Sequence, residues 1–335
     1  MDDIGPEVVV VTGATAGVGR AVVREFAKRK ARIGLIARDR ERLLATQREV
    51  EEQGGEALPL SVDVADANAV EQAAEAVVEA FGAPDVWVNN AMTTMFAPFT
   101  EIKPEEYKRA TEVTYLGCVY GSMAALKRML PRNAGTIVQV GSALAYRSIP
   151  LQAPYCGAKH AIVGFTDSLR CELIHNRSKV RVTVVHLPAM NTPQFSWRRT
   201  RLPRHPQPVP PIFEPEVAAR AIYWAAHHSR REVFVGAPTV KAIYGQNIAP
   251  DFADRYLGTH GYEAQQTAQP VPADRRDNLF HPVEGDYAAH GIFGENSKTF
   301  SLQNWINLRR APIGLAVAGL AGLGACIWRK SFSQR

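Results

Sequence analysis

Short runs of apolar, mostly β-branched residues recur along the first two thirds of the chain and alternate with longer segments whose apolar positions return at helical spacing. The runs at 8–11, 33–37, 86–88, 137–140 and 182–186 have strand length and almost no polar interruption, as expected for strands covered on both faces. Between them, 19–30, 40–53 and 68–81 read as helices. Repetition of strand, helix and strand predicts βαβ units on a parallel sheet with helices on both sides, a doubly wound α/β fold. A further helix is expected over 216–228, opening after Pro215, and a last strand over 232–235, closed by Gly236.

Beyond residue 236 the composition shifts toward Gly, Pro, Asn, Gln and Asp. The pattern therefore divides the chain into a first domain over 1–236, an irregular extension over 237–305 with one amphipathic helix at 240–257, and a terminal apolar helix within 306–330. The uncharged run 311–328 stands between Arg309-Arg310 and Arg329-Lys330. Its 18 residues at a rise of about 1.5 Å would span roughly 27 Å, close to a bilayer's hydrocarbon core. Trp305 and Trp328 flank it, and Gly314, Ala318 and Gly322 recur as small residues do in packed membrane helices. A transmembrane anchor in contact with membrane lipid is the expectation.

Composition narrows the picture. With 335 residues, 46% of them hydrophobic, the chain can bury a large core, which excludes general disorder. Cys118, Cys156, Cys171 and Cys326 form no CxxC pair and no His/Cys cluster, so reduced thiols and no metal site are expected. The acidic start lacks the basic and apolar regions of a secretory leader. A net charge of +6 invites a nucleic-acid partner, but no zinc finger, helix-turn-helix or aromatic-studded basic strand supports one. Arg198, Arg199, Arg201 and Arg204 lie beside a proline-rich stretch. This is expected to be a loop with ligand contacts and a cationic patch within reach of anionic headgroups.

The chemistry begins directly after the first strand, at Thr12-Gly13-Ala14-Thr15-Ala16-Gly17-Val18-Gly19. A glycine-rich turn between strand and helix lets backbone approach a pyrophosphate, and the helix N-terminus adds free N–H groups, so a dinucleotide is the expected guest. Gly13, Thr15, Gly17, Val18 and Gly19 are its candidate contacts. The second strand ends at Ile36-Ala37-Arg38-Asp39. No carboxylate at position 37 repels a 2′-phosphate and Arg38 can pair with one, which favours NADP(H) over NAD(H). Tyr155 and Lys159 stand four apart near a helix start, on one face. An ammonium beside the phenol would lower its pKa toward that of a working acid/base, with Ser142 bonding the substrate oxygen. Cys156, His160, His186, His227 and His228 read as structural.

Taken together, the glycine turn, Asp63-Val64 after a third strand, Asn89-Asn90-Ala91, Ser142, Tyr155-Cys156-Gly157-Ala158-Lys159 and the stretch Pro188 to Pro193 resemble the short-chain dehydrogenase/reductase family over about residues 8–236. That resemblance implies a seven-stranded Rossmann sheet with Ser142, Tyr155 and Lys159 as catalytic residues. It also implies that Asp63 and Val64 lie at the adenine, Asn89 braces the cofactor pocket, Lys159 binds the nicotinamide ribose, and Pro188 and Thr192 lie near the carboxamide. Met92, where the family has glycine, and Thr114, where it usually has an asparagine in a proton relay, depart from the pattern.

The implied activity interconverts an alcohol and a ketone or aldehyde, lipophilic if the anchor is real, in a cytoplasm-facing domain that pairs into oligomers as the family's long helices commonly do. The rivals are an NADP(H)-binding redox sensor or scaffold without turnover, and an epimerase or dehydratase on the same fold.

Overall fold

Seven strands form one parallel sheet: β1 (Val8–Thr12), β2 (Arg32–Ala37), β3 (Glu56–Ser61), β4 (Val86–Asn89), β5 (Thr136–Ser142), β6 (Arg181–Leu187) and β7 (Glu232–Phe234). The computed structural model describes residues 5–309. The strand order is β7-β6-β5-β4-β1-β2-β3, and every neighbouring pair is parallel. Winding reverses between β1 and β4, which opens a crevice at the strands' carboxyl ends.

Along β1, Val9 and Val11 enter the core under α1 (Gly17–Ala27) and α2 (Arg40–Glu52), whereas Val8 and Val10 enter the core under α3 (Ala67–Phe81). Successive side chains point to opposite faces, so an unbroken apolar run is what a doubly covered strand requires. Four further helices, α4 (Pro104–Thr111), α5 (Gly117–Met129), α6 (Ala153–His175) and α7 (Pro215–His227), complete the wrapping. The apolar pattern does not delimit β3 because this edge strand is half-exposed and contains Pro59, a residue edges tolerate.

The extension differs from expectation in one helix. The predicted segment 240–257 is two helices, α8 (Ala237–Ile248) and α9 (Pro250–His260). Pro250 has no N–H to continue the first and pre-sets φ for the start of the second. Gln266–Pro270 then pairs antiparallel with Arg204–Pro206. Residues 271–293 contain no helix or strand, as an irregular extension should. They form a strap across the crevice, with Asp286 2.6 Å from the buried Arg20 and the Ala288 carbonyl accepting from Gly17 N at 3.1 Å. His290 is clamped to Glu216 at 2.9 Å, with Glu214 3.7 Å away.

The arginines of the patch are engaged within the protein. Arg198 is buried, Arg199 and Arg201 both hold the buried Glu106 at 2.8 Å, and Arg204 pairs with Glu263 at 2.5 Å. A short helical turn, Gln194–Trp197, and the short strands Arg199–Thr200 and Arg204–Pro206 replace the expected plain loop.

The chain re-enters the core at α10 (Leu302–Leu308), whose Leu308 packs against the apolar cluster under α1. The run 311–328, read above as an anchor, lies outside the described residues. Among the described residues no helix is long and apolar enough to cross a membrane.

Candidate active site

Gly19 sits where α1 meets the end of β1, and an added Cβ would lie 2.0 Å from the Gly13 carbonyl oxygen and 2.5 Å from Asn90 Nδ2. Only a residue without a Cβ lets the helix N-terminus come this close. Gly17 has φ +56, and a Cβ there would press on Thr192 at 3.1 Å. Asn90 fastens the turn, donating from Nδ2 to the carbonyls of Thr12 (3.0 Å) and Gly13 (3.1 Å), while Thr12 Oγ1 accepts from the backbone of Asn90 and Ala91.

Asn89, expected at the cofactor pocket, faces the other way. It accepts from Trp87 Nε1 at 2.9 Å and donates to Ser122 and Gln139, tying β4 to α5 and β5. The cleft-facing asparagine is Asn90, the residue that follows β4 and lines the cleft.

One continuous cleft of about 460 Å³ runs along the carboxyl ends of the strands. Gly13, Thr15, Gly17, Val18, Arg38, Asp63 and Val64 line one end; Ser142, Tyr155, Lys159, Pro188 and Thr192 line its course toward the other. Gly19 is not in the lining, and its part is the close approach just described. Arg38 donates to the strap carbonyls of Phe280 (2.9 Å) and Asn278 (2.7 Å). Asp63 is paired with Arg109, and although burial opposes it, this partner holds its carboxyl below the usual range.

Sequence reasoning missed Arg42, one helical turn beyond Arg38. It is buried, lines the cleft, donates from Nε to the Gly285 carbonyl at 2.7 Å and leaves Nη2 without a partner. Thr192 Oγ1 is likewise buried and unpartnered.

At the other end, β5 finishes at Ser142 and α6 begins with Pro154 in its first turn. Lys159 reaches back from α6 and donates to the Val140 carbonyl at 2.6 Å. Its Nζ is 5.5 Å from the centre of the Tyr155 ring.

The electrostatics differ from the expected ammonium-lowered phenol. Burial dominates and raises Tyr155 above the ordinary phenol range, with Ser142 and then Arg198 pulling the other way without prevailing. Burial also pulls Lys159 down to about 8. At neutral pH the phenol is protonated and the lysine largely charged. Arg198, buried among residues distant in the sequence, is a second cation beside Tyr155.

The remaining candidates are structural, save Met92. Thr114 lies in a π-turn, Glu112–Leu116, and its hydroxyl donates to the Thr93 carbonyl at 2.7 Å. Met92 lines the cleft. Burial raises the Cys156 thiol, against nucleophilic use. His186 Nδ1 donates to the Ser142 carbonyl at 3.1 Å beneath the site, while His227 and His228 cap carbonyls of their own helix.

Comparison with known proteins bears on the same residues. The short chain dehydrogenase profile matches residues 7–201. The chain belongs to the short-chain dehydrogenase family. This makes it an oxidoreductase by family. The uncharacterized oxidoreductase YxnA of Bacillus subtilis is 32% identical over 266 residues, 79% of this chain and 75% of that protein. Among solved structures, the alcohol dehydrogenase of Thermococcus sibiricus, complexed with 5-hydroxy-NADP, is 27% identical with a TM-score of 0.60, covering 69% of this chain and 96% of that one. The actinorhodin polyketide ketoreductase with NADPH is 29% identical with a TM-score of 0.62, covering 69% of this chain and 95% of that one.

In this family member the glycine turn is the first place to test. Gly19→Ala should lower stability by about 1–3 kcal/mol through forced separation of α1 from the turn. Urea denaturation measures this, and an unchanged midpoint would show that the turn gives way freely.

Proposed function

We propose that the protein is an NADP(H)-dependent oxidoreductase that interconverts a lipophilic alcohol with its ketone or aldehyde, Tyr155 serving as the general acid/base. The observation that carries this reading is the continuity of the cleft, from a glycine turn flanked by two arginines to Ser142, Tyr155 and Lys159.

The residues present fit a phosphorylated dinucleotide. Gly13 and Gly17 line the cleft at the N-terminus of α1, where a diphosphate would take over the Gly17 N–H that the strap's Ala288 carbonyl holds. Arg38 and the free Nη2 of Arg42 suit a 2′-phosphate, and the unpartnered Thr192 hydroxyl suits an amide. The solved relatives with NADPH and 5-hydroxy-NADP support the same choice. When bound, the nicotinamide supplies or accepts a hydride at the substrate carbon.

The protein's part is proton handling and orientation. Tyr155, kept neutral by burial, holds a proton ready for a substrate oxygen that becomes an alkoxide, which suits carbonyl reduction. The Ser142 hydroxyl polarises the same oxygen, and Lys159, fixed on Val140, keeps positive charge beside the phenol. Leu144, Ile149, Val209 and Leu257 line the far end, which supports an apolar substrate body. Membrane anchoring through 311–328 rests on the sequence alone.

Tyr155→Phe should cut kcat/KM for carbonyl reduction by about 10²–10⁴-fold with NADPH affinity little changed; full turnover would remove the tyrosine from the mechanism. Reduction needs Lys159 charged, and a lysine at about 8 loses its proton as pH rises. The rate should accordingly fall through pH about 8, and a rate unchanged across that range would contradict the role given to Lys159. For the anchor, liposome flotation should carry the full chain but not one lacking 310–335, and a full chain left at the bottom of the gradient would refute it.

A further inference from the structure

Arg198 is only 4% exposed, yet it lines the cleft. Its guanidinium carbon lies 4.7 Å from the centre of the Phe96 ring, 5.2 Å from Phe195 and 5.9 Å from Tyr155. Its hydrogen-bond acceptors are neutral amides, Gln152 Oε1 at 3.1 Å and Gln194 Oε1 at 2.5 Å. Gln152 cannot easily turn away, since its Nε2 is committed to Gln265 Oε1 at 2.7 Å, and Gln265 in turn donates to the carbonyls of Pro150 and Gly261.

Glutamines thus stand where a glutamate would neutralise the charge. Among the described residues, the charged or ionisable groups felt by Arg198 are the Tyr155 phenol and a second cation, Arg275, which donates to the Phe195 and Arg198 carbonyls.

Burying a guanidinium without a counter-ion is costly, and proteins rarely do it unless something else supplies the anion. Aromatic faces offset part of that cost. Two of a guanidinium's five N–H donors are used by the glutamines, which leaves donors for a planar acceptor. A purely structural arginine would not need to line the substrate end of the cleft. One that served only to tune Tyr155 would not need a neutral amide frame holding its charge uncompensated.

We propose that Arg198 recognises a carboxylate on the substrate, so that the compound reduced is an oxo acid with an apolar body and the compound oxidised is the matching hydroxy acid. This rests on the oxidoreductase reading above and specifies its substrate class. The reaction balances within that reading: the carbonyl carbon gains the hydride from NADPH, its oxygen gains the Tyr155 proton, and the carboxylate is unchanged. Arg198 then positions the substrate, with the carboxylate on its guanidinium and the carbonyl oxygen at Tyr155 and Ser142.

The test uses the full chain and matched pairs: phenylpyruvate and benzoylacetate, each against its methyl ester, followed by NADPH oxidation. Calorimetry of phenyllactate and its methyl ester on the protein with NADP⁺ gives a readout that needs no turnover. Acids should exceed esters by about 100-fold in kcat/KM, the scale that a charge-assisted hydrogen-bonded pair allows. In Arg198→Met that acid-to-ester ratio should fall to near one, chiefly through KM, and Arg198→Lys should restore part of it; thermal melting reports whether each variant folds.

Esters used as well as acids by the wild type would overturn the inference and leave the oxidoreductase reading standing. A ratio unchanged in Arg198→Met, with the pH profiles of acid and ester shifted together, would assign Arg198 to Tyr155 alone and also overturn it. Acid-selective binding of phenyllactate without turnover of any compound would uphold carboxylate recognition and defeat the oxidoreductase reading instead.

Discussion

A helix can present its N-terminal N–H groups to a ligand at the end of a strand only if the two backbones nearly touch, and here that contact depends on the missing side chain at Gly19. The Gly13 carbonyl oxygen occupies the space a Cβ would take, and Asn90 bonds the same carbonyl from the next strand. Once β1, β4 and α1 are locked together in this way, the crevice at the sheet's switch point has a fixed floor. The strap over 271–293 then builds on that floor, because its Ala288 carbonyl meets the Gly17 N–H and its Asp286 meets Arg20.

Burial shapes the two ends of the cleft differently. At the glycine-turn end, Arg38 and Arg42 receive backbone carbonyls from the strap, which satisfy donors without cancelling charge. At the other end, burial favours the neutral form of Tyr155 and weakens the hold of Lys159 on its proton. A phenol that keeps its proton is prepared to give it up to an oxygen gaining negative charge, and the nearby Arg198 moderates the effect. In the proposed mechanism the acid/base behaviour of Tyr155 would rest on the depth of the site together with Ser142, Lys159 and Arg198.

Much of this was legible from the chain itself, for local reasons. The apolar strand runs stand out because both sheet faces are buried, and β3 does not because it is a half-exposed edge. The glycine turn, Arg38, Ser142, Tyr155 and Lys159 could be recognised because each is placed by a neighbouring strand end or a helical spacing. Asn89 and Asn90 were harder to tell apart, since one closes β4, the other follows it, and they differ only in the side they take. Arg42 and the strap were not legible, and Arg198 was visible only as one of a basic cluster in a ligand-contacting loop: the surroundings of both arginines come from contacts with Gly285, Phe96 and Gln152, and a backbone carbonyl that receives an arginine leaves no mark in the residue pattern.

The central claim is that this cleft is built for a dinucleotide carrying a 2′-phosphate. Fluorescence titration of the wild-type chain and of Arg42→Ala with NADPH and with NADH tests it most directly. The account predicts that the wild type binds NADPH at least about 10-fold more tightly than NADH, as one charge-assisted pair allows, and that Arg42→Ala loses most of the difference by weakening NADPH alone. Equal affinity for the two dinucleotides in the wild type, or no binding of either, would contradict it.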